Sequence, residues 1–566
     1  MHPVLFIALP LLVAFLVAPL RKIALFKKGW LPTALLALTA SYAAYLLPTV
    51  LQAPISEMIV IKAPLGINLY AGPFAILMIL VTSVFGMVLT SSPKLRGYFS
   101  EGNAPTVLAL LHFAGINGLF LSGDLFNIFV FLEITSLSAI ALTTLSDSTK
   151  SIEAALKYLL AGAIASIFLL VGIALVYFHT GTLNLAELSV VASTIPLSAR
   201  AIILVALLIS FSIEAELFPF NFWVPDVYEG SGAALSGLFS SMTLKAMLYL
   251  IFKVVVIFSI DSSLQSVVLW AGLISMIIAE LGALKQKNVV RMLAYSSMAQ
   301  AGILVAGFMA HADSATVFHM LSHSAAKAGL FLVASLVISI SGNETLEGLR
   351  GIGRRNRFVG IAVTVLVLSL LGMPPFSGFI GKFFILQALL ITIKGAAGVG
   401  AVALVLIASL IEAWYLLKLL AIVFAKDSKE GVTISWKVAL PLALPVIFVV
   451  VAGMAPRPLL AITSIAGDDL SNNSQYEEAV LGSQSTAPRA EQAVVEQTVV
   501  QQSVTVQKEV THTGDTVLVQ QTTTQTTTMG KDGMSQQISV EQTISPQETQ
   551  DTATTSDTLR TTEGSN

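Results

Sequence analysis

Apolar residues are gathered along the chain into about fourteen segments of roughly 18–25 residues, each long enough to cross a bilayer as a helix. Short stretches of polar, charged or turn residues separate these segments between Pro3 and about Ile465. The pattern predicts an all-α integral membrane protein with about fourteen transmembrane helices, surrounded by a lipid bilayer. Between the second and third segments, Met58 to Tyr70 carries polar and turn residues, which predicts a short hairpin outside the bilayer.

The composition changes at the carboxyl-terminal end of the chain. Residues 466–566 are rich in Thr, Gln, Ser and Val and contain no segment of spanning length. Some of this stretch alternates as strands do, so a weak hairpin is one alternative. An extended or disordered polar tail is the interpretation that the composition favours.

Basic residues predict the orientation of the bundle. Alternate loops carry Lys and Arg (residues 21–28, 94–96, 150, 285–291, 350–357 and 426–437), and the opposite loops carry few. By the positive-inside rule the basic loops face the cytoplasm. We therefore expect a multi-pass protein of the cell (inner) membrane with both termini, and the tail, outside the cytoplasm.

Composition and charge exclude several classes of function. Apolar residues make up 55% of the chain and charged residues only 11%, whereas a soluble domain has about a quarter charged residues. The formal net charge of −2 gives no electrostatic support for binding nucleic acid. The sequence contains no cysteine, which excludes disulfides, thiolate metal sites and cysteine-held iron–sulfur clusters. We expect no cofactor and no metal site on this chain.

A row of three ionisable residues lies inside one of the apolar segments. His319, His323 and Lys327 are spaced four apart, which places them along one face of a helix. Ionisable groups within a membrane-length segment are costly and usually face a polar interior or a water path. Because histidine changes its charge near neutral pH, this helix is a candidate for carrying exchangeable protons.

Two other segments contain prolines that should interrupt their helices. Pro219 lies in the seventh predicted span, and Pro374 and Pro375 lie in the twelfth. A proline inside a helix removes a backbone hydrogen bond and clashes with the preceding turn. An offset of five spans puts the two breaks in opposite orientations, as in transporters built from inverted repeats. The alternative is that each proline is merely a kink.

Several motifs resemble one family: the antiporter-like subunits shared by Mrp-type sodium/proton antiporters, respiratory complex I and membrane-bound hydrogenases. The resemblance covers roughly residues 70–425. It is carried by the His319–Lys327 row and by four further stretches, which are Asn117–Glu133, Phe218–Asp226, Leu293–Ser297 and Pro374–Lys382. The first stretch resembles the D-type subunit of Mrp antiporters, and Trp223–Glu229 resembles the N-type subunit of complex I.

The resemblance implies a division of the chain. Residues 1–100 would carry helices 1–3, residues 101–260 a first inverted five-helix repeat, residues 261–425 a second, and residues 426–465 helix 14. It also implies a path of buried charges at mid-membrane. The residues that match this path are Glu133, Lys245, His319, His323, Lys327 and Lys382.

One position departs from the family pattern. Where the family usually has a lysine five residues before the seventh-helix proline, this chain has Glu214, with Glu216 close by. One hypothesis is that Glu133, Glu214 and Glu216 share a proton or bind sodium, since hard cations prefer oxygen ligands. The other is that this half of the protein has lost the usual switch and is coupled differently.

The remaining intramembrane charges are assigned less central places. Glu412 and Lys418, in the thirteenth predicted span, are candidates for the exit of the path, although Lys418 could instead reach the lipid surface. Lys253, Glu280, Glu153 and Lys157 lie near predicted helix ends, so we expect them at the membrane interface.

The sequence thus predicts a proton-translocating subunit, with or without sodium exchange, of a multi-subunit membrane complex. The complex would be either an Mrp-type antiporter or a redox-driven NADH:quinone oxidoreductase or hydrogenase, whose redox chemistry would belong to partner subunits. The resemblance implies that other membrane subunits are among the partners. Two alternatives stay open: a stand-alone secondary carrier that needs no partners, and a scaffold subunit that no longer transports.

Overall fold

A computed structural model describes residues 2–59, 67–426, 436–482, 498–510, 516–530 and 533–546. The first 482 residues form one unit of helices with a small hairpin. Its amino-terminal helices are α1 (Leu5–Phe15), α2 (Val17–Leu20), α3 (Ala24–Lys27), α4 (Leu31–Val50), α5 (Pro73–Thr90), α6 (Pro93–Glu101), α7 (Asn103–Leu121) and α8 (Leu125–Thr143).

Eight helices follow in the middle of the unit. They are α9 (Thr149–Thr180), α10 (Leu185–Val191), α11 (Leu197–Glu214), α12 (Val224–Ser231), α13 (Ala233–Leu238), α14 (Leu244–Ile257), α15 (Ser262–Leu284) and α16 (Val289–Met309). The last eight are α17 (Asp313–Ser341), α18 (Ile352–Arg355), α19 (Arg357–Leu371), α20 (Ser377–Thr392), α21 (Ala396–Val423), α22 (Trp436–Met454), α23 (Pro456–Ser471) and α24 (Asn473–Leu481).

Among the residues that the structure describes, eleven helices are long and apolar enough to cross a membrane, or twelve if the bent pair α22–α23 counts as one. The prediction of a polytopic helical protein is confirmed. The predicted number of about fourteen is not confirmed, because α1 has only 11 residues and α19 and α20 have 15 and 16. The last two are separated by the Pro374–Pro375 break, so neither alone has spanning length.

The ends of the spans follow local sequence signals. Asp124 and Asn288 precede α8 and α16, and each side chain accepts hydrogen bonds from two backbone N–H groups of the first turn. Gly181 and Gly342 end α9 and α17 in the left-handed conformation, which costs glycine little. These caps satisfy backbone groups that a helix end would otherwise leave unpaired.

Helix α17, which carries the His319–Lys327 row, lies at the centre of the unit. It packs against α5, α13, α16, α19, α20, α22 and α23. Every residue from Ala315 to Val337 is buried. A helix that is enclosed over this length has no face in contact with lipid, so its ionisable side chains must find partners on the surrounding helices.

The predicted hairpin is confirmed: β1 (Ile55–Ile59) pairs antiparallel with β2 (Ile67–Ala71). Its predicted turn, residues 63–66, lies outside the described residues.

Helices α23 and α24 lie at the hairpin end, and α23 leaves α22 at a bend of 93°. Their buried side chains Asp469 and Tyr476 correct the predicted start of the tail at residue 466. The change in composition suggested too early a boundary, because α23 is too polar to be recognised as a span and yet packs on α5 and α17.

The second unit begins at Ser483. Its described part is a three-stranded antiparallel sheet of β3 (Thr498–Val510), β4 (Thr516–Gly530) and β5 (Gly533–Pro546), in that order. These strands differ from the expectation of a disordered tail and follow the alternating pattern that the sequence contains there.

Candidate functional site: a buried row of ionisable side chains

Lys245 and His323 join two helices at the centre of the unit. Lys245 lies on α14, and its Nζ lies 2.5 Å from His323 Nδ1 on α17. It also donates to the backbone carbonyl of Ser240 at 2.6 Å. Ser240 belongs to a π-helical turn, Phe239–Thr243, between α13 and α14. Such turns leave carbonyl groups with spare capacity and often occur at functional sites.

A second set of contacts links His319 to Lys382 through two intermediates. His319 Nε2 lies 2.8 Å from Gln300 Oε1 on α16, and Gln300 Nε2 donates to Glu412 Oε1 on α21 at 2.9 Å. Glu412 Oε2 lies 2.6 Å from Lys382 Nζ on α20. All four side chains are buried. The structure thus connects three predicted site residues by way of Gln300, which the sequence analysis did not single out.

Lys327 lies between these two sets. Its Nζ donates to the backbone carbonyl of Leu293 at 2.9 Å. Glu280 on α15 and Glu412 are close enough to interact with it electrostatically. The expectation that Glu280 lies at the interface is wrong, because only 1% of the residue is exposed. It is near the end of α15 in sequence, but α16 and α21 cover it there.

The second helix break holds Lys382 in place. Gly372 ends α19 in the left-handed conformation, and Pro374 and Pro375 follow before α20 begins at Ser377. Lys382 Nζ donates to the carbonyl of Leu370 at 2.7 Å. A lysine therefore satisfies one of the carbonyl groups that the interruption leaves without a helical partner.

The first half of the protein contains the three glutamates. Glu133 on α8 accepts a hydrogen bond from Ser166 on α9. Glu214 is the last residue of α11, and its carboxylate lies near Ser136, Tyr158 and Glu133. Both of its oxygens are buried and form no hydrogen bond of normal length within the described part of the chain. Glu133 and Glu214 are thus close enough to interact electrostatically.

Glu216 lies in the break between α11 and α12, and its hydrogen bond is to Tyr228 and not to either of the other two glutamates. It adopts φ 63°, which is rare for a residue with a side chain. Its Oε1 accepts from the Tyr228 hydroxyl at 2.6 Å, and it interacts electrostatically with Lys245 and Lys327. Pro219 follows, where the N–H of Phe218 donates to Ser275 Oγ at 3.0 Å. A neighbouring helix thus satisfies backbone that the break exposes.

The other expected positions are less central. Lys418 lies exposed on α21. Glu153 and Lys157 form an ion pair of 2.7 Å on α9, and Lys157 also pairs with Asp226. Within the described ranges, no group of three or more His, Asp or Glu side chains could hold a metal ion.

Besides Glu280, three further buried ionisable residues were missed by the sequence analysis or assigned elsewhere. His112, on α7, contacts α8 and the π-helical turn, with its Nδ1 3.1 Å from the carbonyl oxygen of Thr135 and its Nε2 3.0 Å from Thr243 Oγ1. Lys253 was expected at the interface, yet it is only 4% exposed. Asp469 was assigned to the tail and is buried at the hairpin end. His112 and Lys253 could have been found from the rule that ionisable residues inside apolar segments are costly.

Several known proteins are similar to this chain in sequence. Residues 122–411 match the family model described as NADH:quinone oxidoreductase/Mrp antiporter, transmembrane. The chain is 31% identical to the D subunit of the Na(+)/H(+) antiporter of Alkalihalophilus pseudofirmus, over 74% of this chain and 87% of the relative. It is also 31% identical to the N subunit of the NADH-quinone oxidoreductase of Desulforudis audaxviator, over 75% and 86%.

A solved structure agrees with these relatives. A chain of the membrane-bound sulfane sulfur reductase, an archaeal respiratory membrane complex, is 33% identical and superposes with a TM-score of 0.78. The match covers 84% of this chain and 99% of that one. The chain therefore belongs to the NADH:quinone oxidoreductase/Mrp antiporter family of membrane subunits.

Proposed function

We propose that this chain is a proton-translocating subunit, with or without sodium exchange, of a multi-subunit membrane complex. The observation that carries the proposal is the buried row of Lys245, His323, Lys327 and the His319–Gln300–Glu412–Lys382 contacts on five neighbouring helices. Because the desolvation of a charge is costly, ionisable residues buried within a membrane protein usually have a function. Protons would move as neighbouring groups change their protonation and their partners.

The proposed architecture has fourteen helices and two inverted repeats, at residues 101–260 and 261–425. Each proposed repeat contains one interrupted helix, α11–α12 or α19–α20. Each also has a capping residue that bridges to a later segment, Asp124 to Asn184 and Asn288 to Thr345. Both observations support the repeats.

The proposed orientation puts the basic loops in the cytoplasm and both termini outside. A cavity of about 320 Å³ lies on the side of the unit that carries the basic loops. Its lining includes Lys94, Lys150, Glu229 and Glu344. The charged side chains in its lining support access for protons from that side.

Replacement of Lys327 tests the path directly. We expect Lys327→Ala to abolish ion transport in reconstituted vesicles while the complex still assembles, because the variant removes a central exchangeable proton. Lys285→Ala, at an exposed loop position, is the matched control and should transport normally. Unchanged transport by Lys327→Ala would contradict the proposed path and favour the scaffold alternative.

The glutamate hypothesis has its own test. Glu214 and Glu133 interact, and the Glu214 oxygens accept no hydrogen bond of normal length from the residues that the structure describes, which supports a carboxyl group that holds a proton or binds a cation. Glu214→Gln should therefore shift the pH or sodium dependence of the transport rate. Glu187→Gln, at the hairpin end, serves as control. Superimposable profiles of Glu214→Gln and the parent protein would reject a role for this site.

The parent complex is identified by what co-purifies in a mild detergent. Iron–sulfur or flavin subunits would indicate a redox-driven pump such as a quinone oxidoreductase or hydrogenase, and small hydrophobic partners alone an Mrp-type antiporter. A chain that purifies alone and still transports ions would be the stand-alone carrier.

A further inference from the structure

A second group of ionisable side chains lies between Lys245 and the hairpin end of the unit. Lys245, Tyr249 and Lys253 are spaced four apart on α14, so they lie along one broad side of the helix. Lys253 is about 12 Å beyond Lys245, from the helical rise of eight residues. All three are buried, and the row described above does not include Tyr249 or Lys253.

Lys253 is held by aromatic rings. Its Nζ lies 3.8 Å from the ring centre of Tyr476 on α24 and 5.6 Å from that of Tyr70 on β2. The two rings meet edge to face at 4.6 Å. Cation–π contacts of this kind stabilise a desolvated ammonium group while leaving its protons available.

Asp469 supplies the opposite charge. Its carboxylate on α23 accepts hydrogen bonds from the Tyr70 hydroxyl at 2.5 Å and from the N–H of Phe74 at 3.0 Å. It interacts electrostatically with Lys253 and Tyr249. The titratable groups that interact with it are Tyr70, Tyr249 and Lys253, from β2 and α14. Tyr476, from α24, contacts Lys253 and Tyr70.

The backbone is shaped to admit this carboxylate. A Cβ atom on Gly72 would lie 2.4 Å from Asp469 Oδ2, so a larger residue at position 72 would displace it. A buried Lys and a buried Asp in one cluster offset each other's charge, but hydrophobic packing alone would dock α23 at a lower free-energy cost. The pair therefore calls for a role beyond docking.

We infer that Lys253 and Asp469 form the proton-exchange pair through which Lys245 communicates with the hairpin side of the membrane. The Lys253 ammonium group gives a proton to the Asp469 carboxylate and becomes an amine, and Asp469 releases that proton to the aqueous phase. The Lys245 ammonium group then gives a proton to the Tyr249 hydroxyl, which releases its own proton to the Lys253 amine. Lys253 and Asp469 are thereby an ammonium and a carboxylate again, and Lys245 is left as an amine that regains a proton from the row described above.

The inference rests on the proposed function, and two substitutions test it in the full-length chain with its co-purifying subunits. Asp469→Asn keeps the size of the side chain and an oxygen that can accept hydrogen bonds, but it cannot exchange a proton. Lys253→Arg keeps the charge and the ring contacts, but arginine does not deprotonate in proteins. We expect each to lower proton transport in vesicles by about a hundredfold or more.

Matched controls separate exchange from structure. Asp468→Asn removes the neighbouring, exposed carboxylate and should leave transport unchanged. Rates are expressed per assembled complex, so a lower yield is not counted as lower transport. If Asp469→Asn or Lys253→Arg transports at the parental rate, the exchange pair is rejected. With Lys327→Ala inactive in the same assay, that result would leave the proposed function intact, whereas full activity of all three variants would reject both.

Tyr70→Phe tests the Lys253–Asp469 exchange pair if the other variants do not assemble. It removes one donor to the Asp469 carboxylate and retains every charge. Because a carboxylate that loses a donor holds its proton more firmly, the pH dependence on the hairpin side should move to higher pH, and that on the other side should not move. Identical profiles for Tyr70→Phe and the parent protein would overturn the inference.

Discussion

Glycine at two positions of the second break is required by close backbone approach. A Cβ atom on Gly378 would lie 1.7 Å from the carbonyl oxygen of Ser369, and one on Gly381 would lie 2.7 Å from His319 Cβ. Backbone oxygens at a helix end cannot move without opening the break. The start of α20 therefore tolerates no side chain at the point where it passes α19 and α17.

Gly378→Ala should consequently destabilise the protein by about 4 kcal/mol or more, at the upper end of single substitutions. Gly400→Ala is the control, since a Cβ at that helical position meets nothing within 4 Å. Thermal unfolding of the two purified variants in the same detergent measures the difference. Equal unfolding temperatures would contradict the close approach.

At the residue scale, the ionisable residues were largely predictable and their partners were not. The four-residue spacing of His319, His323 and Lys327 already implied a common face. Gln300 carries no charge, and nothing in its sequence context marks it as the link between His319 and Glu412. Glu280 and Lys253 were misassigned because distance from a helix end in sequence does not measure depth when other helices cover that end.

At the scale of elements, the two helix breaks expose backbone groups that side chains of other residues bind. The prolines predicted the interruptions at α11–α12 and α19–α20, because proline cannot continue the hydrogen-bond ladder. They could not predict how the freed groups are satisfied. In the second break the answer is Lys382, which bonds both Leu370 and Glu412.

Removal of Lys382 should therefore affect stability and transport separately. Lys382→Met leaves the buried Glu412 carboxylate without its cation, which costs about 3–5 kcal/mol. Adding Glu412→Leu should recover most of that stability, but transport should remain lost in both variants. Unfolding in detergent and transport in vesicles give the two readouts, with Lys394→Met as an exposed control. A double variant that regained transport would show that the ion pair only holds the fold.

At the scale of the whole molecule, the compact unit ends later than hydropathy suggests. The residues up to Gly482 form one unit, and α23 and α24 contribute buried side chains to it. A chain ending after Gly482 should therefore assemble and transport as the full chain does. A chain ending after Met454 loses Asp469 and Tyr476 and should not transport. Transport per assembled complex compares the two, and loss of activity in the longer truncated chain would assign a role to residues 483–566.

The global fold class followed from hydropathy alone, since segments of spanning length leave few other solutions. The number of uninterrupted helices of spanning length did not, because a break divides one apolar stretch into helices of 15 and 16 residues. The position of α23 was also not predicted. Its polar residues suggest a segment exposed to water, but the bend between α22 and α23 brings them against buried partners.

The enclosure of α17 from Ala315 to Val337 bears on how the protein responds to its membrane. Bilayers differ in thickness, and helices in contact with lipid adjust by tilting or by distorting the lipid around them. Those adjustments fall on the outer helices such as α9 and α21, whose faces are exposed, and not on the helix that carries the histidines. The spacing of the buried ionisable groups on α17 should thus be insulated from changes in lipid chain length.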